Sequence, residues 1–552
     1  MEYAWRFFAL ALVLSLGMLG LVGRMLDLSV FNRSFLMKQS EARTLREENI
    51  PAYRGMITDR NGVPLAVSAP VDSIWVNPQI FHASPSQIAQ LAQLLSLKPK
   101  DITTRADKDS DREFVYLARS LPPEIADQVK ALKIPGIFFQ REYRRFYPSG
   151  EMTAHVLGFT NIDDNGQEGL ELAYNDWLRG VPGKMQVIKD RLGHTVDNLG
   201  TLRAPQQGKD LVLSLDSRIQ YLAYTTLQNA APKFHADSGS IIVLNVKTGE
   251  ILAMANVPSY NPNAKLGHDE KYRNRAVTDL FEPGSTLKTF SIASALASGR
   301  FTPTTIMDTR PGWMNVNGHI IRDDANFGVI TVTQVLQHSS NIGAAKMTLA
   351  LPPLNLWSFL TSVGFGQSTQ SGFPGEAAGV LIKDRFRSST DVATMAYGYG
   401  LSTTALQLVQ AYGIIAANGV KRPLTFLKTD KPRSEQQVLS PALTQEMLGL
   451  LKTVTEPGGS GTQARIAGYQ IGGKTGTAYM AKSGGYEKNR YNSSFIGIAP
   501  LSNPQLIVAV VLHGVQGNIH FGGQVSAPVF AVVMGGALRY LNIPPDDLTQ
   551  NS

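Results

Sequence analysis

The segment Phe281-Glu282-Pro283-Gly284-Ser285-Thr286-Leu287-Lys288 decides the reading of this chain. Pro283-Gly284 is turn chemistry, and the residues after it suit the first turn of a helix. Positions three apart on a helix share a face, which sets Lys288 beside Ser285. A serine hydroxyl is a poor nucleophile until a base takes its proton. A lysine serves as that base only when its pKa falls far below its usual value, and burial or a second cation lowers it. Main-chain N–H groups at the helix N-terminus would face the negative charge that develops during attack. The segment therefore predicts an acyl-serine enzyme, with Ser285 as nucleophile and Lys288 as base.

Two further groups follow in order, Ser339-Ser340-Asn341 and Lys474-Thr475-Gly476-Thr477. Ser339 suits relay of a proton to a departing amine. Asn341 has an amide able to hold Lys288 and to bind a substrate amide. Lys474, the second cation, makes a carboxylate site with the hydroxyls of Thr475 and Thr477. Gly476 permits close backbone approach, and the N–H of Thr477 would complete an oxyanion hole with that of Ser285. The ordered set S-x-x-K, S-x-N, K-T-G is that of serine β-lactamases and penicillin-binding proteins. Each motif alone is weak. Lys247-Thr248-Gly249 and Ser259-Tyr260-Asn261 also match, but the first reads as a hairpin turn between apolar runs and the second as a loop before Pro262. Ser339 to Asn341 joins two helix-like runs, about 331–337 and 342–350, and Lys474 to Ala478 precedes a strand-like run, 495–499. His155, His338 and His520 lack metal-ligand spacing and are read as ordinary surface or core residues. Asp163-Asp164-Asn165-Gly166 begins like a calcium loop but lacks the glutamate at the twelfth position. Asp323-Asp324 is a loop pair with no visible partner.

The bulk properties fit. The chain has 552 residues, is 43% hydrophobic and carries a formal charge of +8, which means two or three domains with sizeable cores. There is no dense Lys/Arg run and no zinc-finger spacing, so the charge reads as a solvated basic surface and no nucleic-acid partner is expected. With no cysteine, disulfides, thiolate metal sites and thiol catalysis are excluded. Phe7 to Gly23 is an uncharged run at the lower limit for a bilayer, extended by Met25, Leu26 and Leu28, and no small-x-small cleavage site follows. An uncleaved signal-anchor is expected. Flanking charges leave its orientation open; the bulk is placed outside the cytoplasm because of the short preceding stub and the chemistry. Residues 1–30 are thus read as stub and transmembrane anchor, 31–208 as a polar helical stalk and mixed α/β pedestal, 209–545 as the catalytic domain and 546–552 as a flexible tail. Asn61-Gly62 reads as a turn between two strands, Leu211 to Leu215 as a strand, and Asp216 as the cap of a helix over about 217–230.

Phe281 to Lys288, with the lead-in Asn274-Arg275-Ala276-Val277-Thr278-Asp279, resembles the active-site segment of class B penicillin-binding proteins, nearest the division-specific type. Arg54-Gly55 with Asp59-Arg60-Asn61-Gly62, Arg145 to Gly150, Gly166 to Glu171 and Asp190 to Gly193 are similar to pedestal motifs of that family. Tyr397-Gly398-Tyr399-Gly400-Leu401 with Gln407-Leu408, and Gly522-Gly523 with Ala527 to Phe530, resemble its other transpeptidase signatures. The resemblance spans nearly the whole chain. It implies a multidomain α+β protein: an N-terminal transmembrane helix, a pedestal of the dimerisation type, and a penicillin-recognising transpeptidase domain with a five-stranded antiparallel sheet flanked by helices. It implies attack by Ser285 on the D-Ala-D-Ala end of a stem peptide on lipid-linked nascent strands, release of D-Ala, and cross-linking at the division septum, with β-lactams as mimics. It further implies no cofactor or metal. The implied partners are a membrane glycosyltransferase and other division proteins. The implied location is the inner membrane, single-pass, with the catalytic domain in the periplasm.

Three rivals stand beside this reading. A D,D-carboxypeptidase or β-lactamase would use water as acceptor; the pedestal and anchor argue against a small secreted lactamase. An elongation-type transpeptidase would share the chemistry, and Glu282-Pro283-Gly284 with Val277-Thr278-Asp279 favours the division type. A non-catalytic scaffold or β-lactam sensor would not need all three motifs.

Overall fold

The computed structural model describes residues 3–107, 112–190, 195–264, 270–431, 434–482 and 484–547. Arg191 to Gly193 of the Asp190–Gly193 motif, and residues 548–552 of the expected tail, lie outside them. Two compact units interleave along the chain: Met1–Arg54, Ala69–Arg144 and Arg179–Gly208 form the first, and Gly55–Ser68, Arg145–Leu178 and Lys209–Ser552 the second.

The first unit begins with a helix, Ala4–Leu26, continued by a wider turn, Asp27–Phe31. Within the 28 residues from Ala4 to Phe31 an 18-residue window reaches a mean hydropathy of 2.0, and none of the 28 is buried. At a rise of about 1.5 Å per residue they exceed the roughly 30 Å of a bilayer's hydrocarbon core. The stalk is helical over Arg33–Thr44 only. Leu45–Ile50, expected as helix, is a strand paired antiparallel with Gly183–Lys189, which in turn pairs with Thr195–Arg203. A long-range partner overrides the local helical spacing there. A separate small core gathers Ile74, Val76, Leu91, Leu117 and Val129. Its helices Pro85–Leu95, Pro99–Arg105 and Pro123–Ala131 each start on proline, whose fixed φ and missing N–H suit the first helical position.

In the second unit Ile57–Thr58 pairs with the strand that starts at Pro64, around Gly62 at φ +86°. The buried Asp59 carboxylate accepts the N–H groups of Asn61 and Val63 (both 2.8 Å), and the N–H (3.1 Å) and hydroxyl (2.8 Å) of Ser217. It thereby ties this hairpin to helix α1 (Ser217–Lys233), which Asp216 caps. Arg145 and Glu171 form a fully buried ion pair at 2.6 Å.

The sheet consists of β1 (Ser238–Asn245), β2 (Ile251–Val257), β3 (Gly472–Lys482), β4 (Gly485–Ala499) and β5 (Leu506–Val515), in the order β2-β1-β5-β4-β3 and antiparallel throughout. Helices α2 (Lys288–Ala297), α3 (Val332–Gln337), α4 (Asn341–Leu349), α5 (Ala405–Ala416) and α6 (Gly522–Tyr540) accompany it. Alternate residues serve opposite cores. Ile241, Val243, Val508 and Val510 pack with α1 and α6, whereas Ile242, Leu244, Ile507 and Ala509 pack with α5 and α2. Both faces are covered, so these strands read as continuous apolar runs without polar alternation. Lys474 to Ala478 lies inside β3, an edge strand, and precedes β4, which holds the strand-like run 495–499 read from the sequence.

Candidate active site

Ser285 stands in a 3₁₀ turn, Gly284–Leu287, and α2 begins only at Lys288. The first helical turn expected at Ser285 is thus tighter than an α-turn. The turn is fixed mostly by main chain. Gly284 N–H donates to the Gly398 carbonyl (3.1 Å), and the Tyr412 hydroxyl of α5 donates to the Thr286 carbonyl (2.8 Å). Gly284 is at φ +53°, and a Cβ there would lie 3.0 Å from the Thr477 carbonyl oxygen. The Thr477 main chain of the edge strand therefore runs beside Gly284-Ser285. Edge strands keep peptide groups free of a neighbouring strand.

Ser339 separates α3 from α4 and has φ +63°, a left-handed conformation costly for a residue with a Cβ. It is where the two lysines meet. Lys288 Nζ donates to Ser339 Oγ (3.1 Å) and to the Ser339 carbonyl, while Lys474 Nζ donates to the same Oγ (2.9 Å). Lys474 also reaches the carbonyl and hydroxyl of Thr475, both at 3.3 Å. Both lysines are fully buried. Burial pushes Lys288 down to about 8, against the upward pull of the Asp323 and Asp324 carboxylates. Lys474 lies well below the usual lysine range, through burial and then through the charge of Lys288. The sequence reading had Lys474 lowering Lys288; both are lowered chiefly by burial, and the charge of Lys288 lowers Lys474 further. Such a pair sheds its protons as a unit, and Ser339 Oγ is the bridge.

Asn341 donates its side-chain amide to the Arg322 carbonyl (2.7 Å), and Ser339, not Asn341, holds the Lys288 ammonium. Thr475 shares a hydrogen bond with Ser460 (3.0 Å), and Thr477 Oγ1 accepts from Gly522 N–H (3.0 Å). A Cβ on Gly476 would meet Ser494 Oγ at 2.3 Å and the Pro283 carbonyl at 3.1 Å, so only glycine lets β3 lie against the Ser285 turn. Ser285, Ser339, Asn341, Thr475 and Thr477 line one cleft of about 570 Å³. Lys288, Lys474 and Gly476 sit beneath its surface. Lys247-Thr248-Gly249 is the β1–β2 turn, with Gly249 at φ +76°, and Ser259-Tyr260-Asn261 binds the Glu151 and Ala154 carbonyls; neither borders the cleft.

Sequence reasoning missed Asp323. Its carboxylate accepts from the Ser340 hydroxyl (2.6 Å) and from the N–H groups of Asn341 (2.5 Å) and Ile342 (3.0 Å). It caps α4 and thereby holds Ser339 in its strained conformation; Asp324 borders the cleft. Nothing local signals this, because the partners lie about one loop away in sequence. Asp323→Ala should cost about 1–2 kcal/mol of stability and slow acylation about tenfold through a misplaced Ser339. Chemical denaturation and stopped-flow labelling with a fluorescent penicillin would measure the two effects. His155 is buried, with Nε2 2.8 Å from the Lys271 carbonyl and its pKa pushed down to about 4 by burial; His338 and His520 both border the cleft. Asp163 to Gly166 forms a turn closed on Asn161 Oδ1. Among the described residues no cluster of three or more acidic, histidine or cysteine side chains is placed to hold a metal.

Residues 239–535 match the penicillin binding protein transpeptidase domain, and residues 49–213 the penicillin-binding protein dimerisation domain. A probable peptidoglycan D,D-transpeptidase PbpC of Pseudomonas aeruginosa is 42% identical over 99% of this chain and 96% of its own length. The peptidoglycan D,D-transpeptidase FtsI of Escherichia coli K12 is 41% identical over 99% of this chain and 93% of its own. The transpeptidase domain of Burkholderia pseudomallei penicillin-binding protein 3 superposes with a TM-score of 0.56 at 43% identity, covering 60% of this chain and 97% of that one. Matches of this extent, on a chain whose cleft joins all three motifs, make it a member of the penicillin-binding-protein transpeptidase family.

Proposed function

We propose that this chain is a membrane-anchored peptidoglycan D,D-transpeptidase that cross-links stem peptides through an acyl-enzyme on Ser285 and is acylated there by β-lactams. The observation that carries the reading is the meeting of two buried lysines on Ser339 Oγ, in the cleft that Ser285 borders. With one proton shared by the pair, Lys288 presents a free electron pair and takes the Ser285 proton as Oγ attacks the carbonyl of the penultimate D-Ala. The N–H groups of Ser285 and Thr477 receive the developing oxyanion. Lys474 with Thr475 and Thr477 binds the terminal carboxylate, and Asn341 the substrate amide. The proton then passes through Ser339 to the departing amine, the C–N bond breaks and D-Ala leaves. An amine on a neighbouring strand attacks the ester and Ser285 regains a proton. In a β-lactam the leaving nitrogen stays tethered to the acyl group, which favours a long-lived adduct.

Intact-protein mass spectrometry after exposure to a penicillin tests this. One stable adduct on the wild type, absent from a folded Ser285→Ala, is expected; an adduct that persists in the mutant would refute the nucleophile, and one that clears within seconds would point to a hydrolase. The 41% identical FtsI supports septal work; a membrane glycosyltransferase and other division proteins as partners, and a catalytic domain facing the periplasm, belong to the proposal. Side-wall rather than septal localisation of a fluorescent fusion would favour the elongation role. The division into anchor (1–30), pedestal (31–208), transpeptidase (209–545) and tail (546–552) belongs to the same proposal.

A further inference from the structure

His520 borders the cleft yet has no part in the steps above. It is held from several sides. Its ring stacks on Tyr491, centroids 3.9 Å apart and planes 10° from parallel, and Phe521 tilts against it at 4.6 Å. Its carbonyl accepts the Ser493 hydroxyl of β4. Two residues on, Gly522 N–H is bonded to Thr477 of β3. The imidazole is thus fixed on the side of the cleft that Thr477 bounds. Its Nδ1 lies 3.1 Å from the Gly517 carbonyl. A carbonyl only accepts, so Nδ1 carries the hydrogen, and in the neutral ring Nε2 keeps its lone pair.

The second half of the reaction needs such a group. The acceptor arrives as an ammonium ion, which has no lone pair and must lose a proton before it attacks. Lys288, Ser339 and Lys474 gave the proton of Ser285 to the departing D-Ala and serve next to return one proton to Ser285 Oγ, so the other proton of the ammonium needs a second acceptor. The other ionisable groups bordering the cleft fit less well. Asp324 offers an ammonium a counter-charge. His338 lies face to face on Phe327, centroids 5.2 Å apart. Tyr399, its pKa raised to about 12 by burial, keeps its proton; Tyr491 is also raised by burial. Tyr479 is a phenol on the rim.

We propose that His520 is the catalytic base that deprotonates the acceptor amine. The inference rests on the acyl-enzyme reading above. Nε2 takes one proton from the ammonium. The freed lone pair forms the new C–N bond at the acyl carbon, and the C–Oγ bond to Ser285 breaks as the tetrahedral species collapses. The second amine proton passes through the lysines and Ser339 to Ser285 Oγ. The imidazolium returns its proton to water at the half-exposed side of the ring.

The test uses the full-length chain in detergent, with an N-acyl-D-alanyl thioester as donor and D-alanine as acceptor. The amine-dependent release of the acyl group is followed against pH, and penicillin labelling reports that each variant is folded. His520→Ala should lose about tenfold or more of that rate at neutral pH. Added imidazole should restore part of it, and the deficit relative to the wild type should shrink as the pH is raised towards the pKa of the amine, where free amine supplies itself. A rate in His520→Ala equal to that of the wild type would overturn the proposal. So would a loss that neither imidazole nor alkali repairs, because that marks a merely structural stack. Failure of the wild type to form any acyl-enzyme would instead overturn the reading beneath it.

Discussion

Lys288→Met should lower the rate of β-lactam acylation about 10³-fold while the protein still folds. Methionine fills nearly the same volume, so the buried site keeps its packing. What disappears is the nitrogen that takes the Ser285 proton and one of the two ammonium donors to Ser339 Oγ. The wild-type pH profile should be a bell, for a reason the pair dictates. At low pH both lysines are charged and neither accepts a proton. As the pH rises the pair sheds its first proton as a unit, and one electron pair becomes free for Lys288 to use. Loss of the second proton above about pH 8, the value to which burial brings Lys288, leaves the pair without charge, and Lys474 then no longer offers a cation to the substrate carboxylate. Acylation should therefore rise from acid, peak about neutrality and fall above about pH 8. Rapid-quench labelling across the pH range measures it. A single limb that keeps rising beyond pH 9 to 10 would show that the lysines titrate independently, as ordinary surface lysines do.

Gly398→Ala should be almost as damaging without touching any reacting atom. Gly398 has φ +93°, which a side chain tolerates poorly. An added Cβ would fall 2.0 Å from the Gly284 carbonyl oxygen, 2.5 Å from its carbon and 2.6 Å from its nitrogen. All three are main-chain atoms of the residue before the nucleophile, so no rotamer change relieves the collision. Either the 397–400 loop retreats or the nucleophile turn does. Overpacking and backbone strain together should cost about 3 kcal/mol, and a displacement near 1 Å at Ser285 should slow acylation roughly 10²-fold. Denaturant titration and penicillin labelling would measure both; an unchanged acylation rate would mean the turn is not held by this contact.

The parts legible in the sequence are those with local or ordered signals. The strands on either side of Lys247-Thr248-Gly249, the cap at Asp216 and the Asn61-Gly62 turn were readable because turn and capping chemistry is local. The order of the three motifs foretold a shared cleft, though not that Ser339 would bridge both lysines, since that depends on a left-handed residue between two helices. Asp323 was unreadable because a capping carboxylate contributed from a separate loop leaves no pattern at the helix it caps. The strand at Leu45–Ile50 was unreadable because its partner, Gly183–Lys189, lies far along the chain. His520 was passed over for want of metal spacing, a criterion that says nothing about proton transfer.

The nucleophile turn is walled by backbone, with Gly284 bonded to Gly398 and Gly476 lying against Pro283. This confines the routes by which the protein could escape an acylating drug. A change at these glycines collides with main chain before it discriminates between drug and stem peptide, so natural peptide turnover is lost with drug sensitivity. Tolerable variation is left to the rim, at Tyr399, Tyr479 and Tyr491, whose side chains border the cleft without setting the position of Ser285. Resistance arising within this chain should therefore accumulate as rim substitutions that trim drug side-chain contacts by degrees, not as a single decisive change beside the nucleophile.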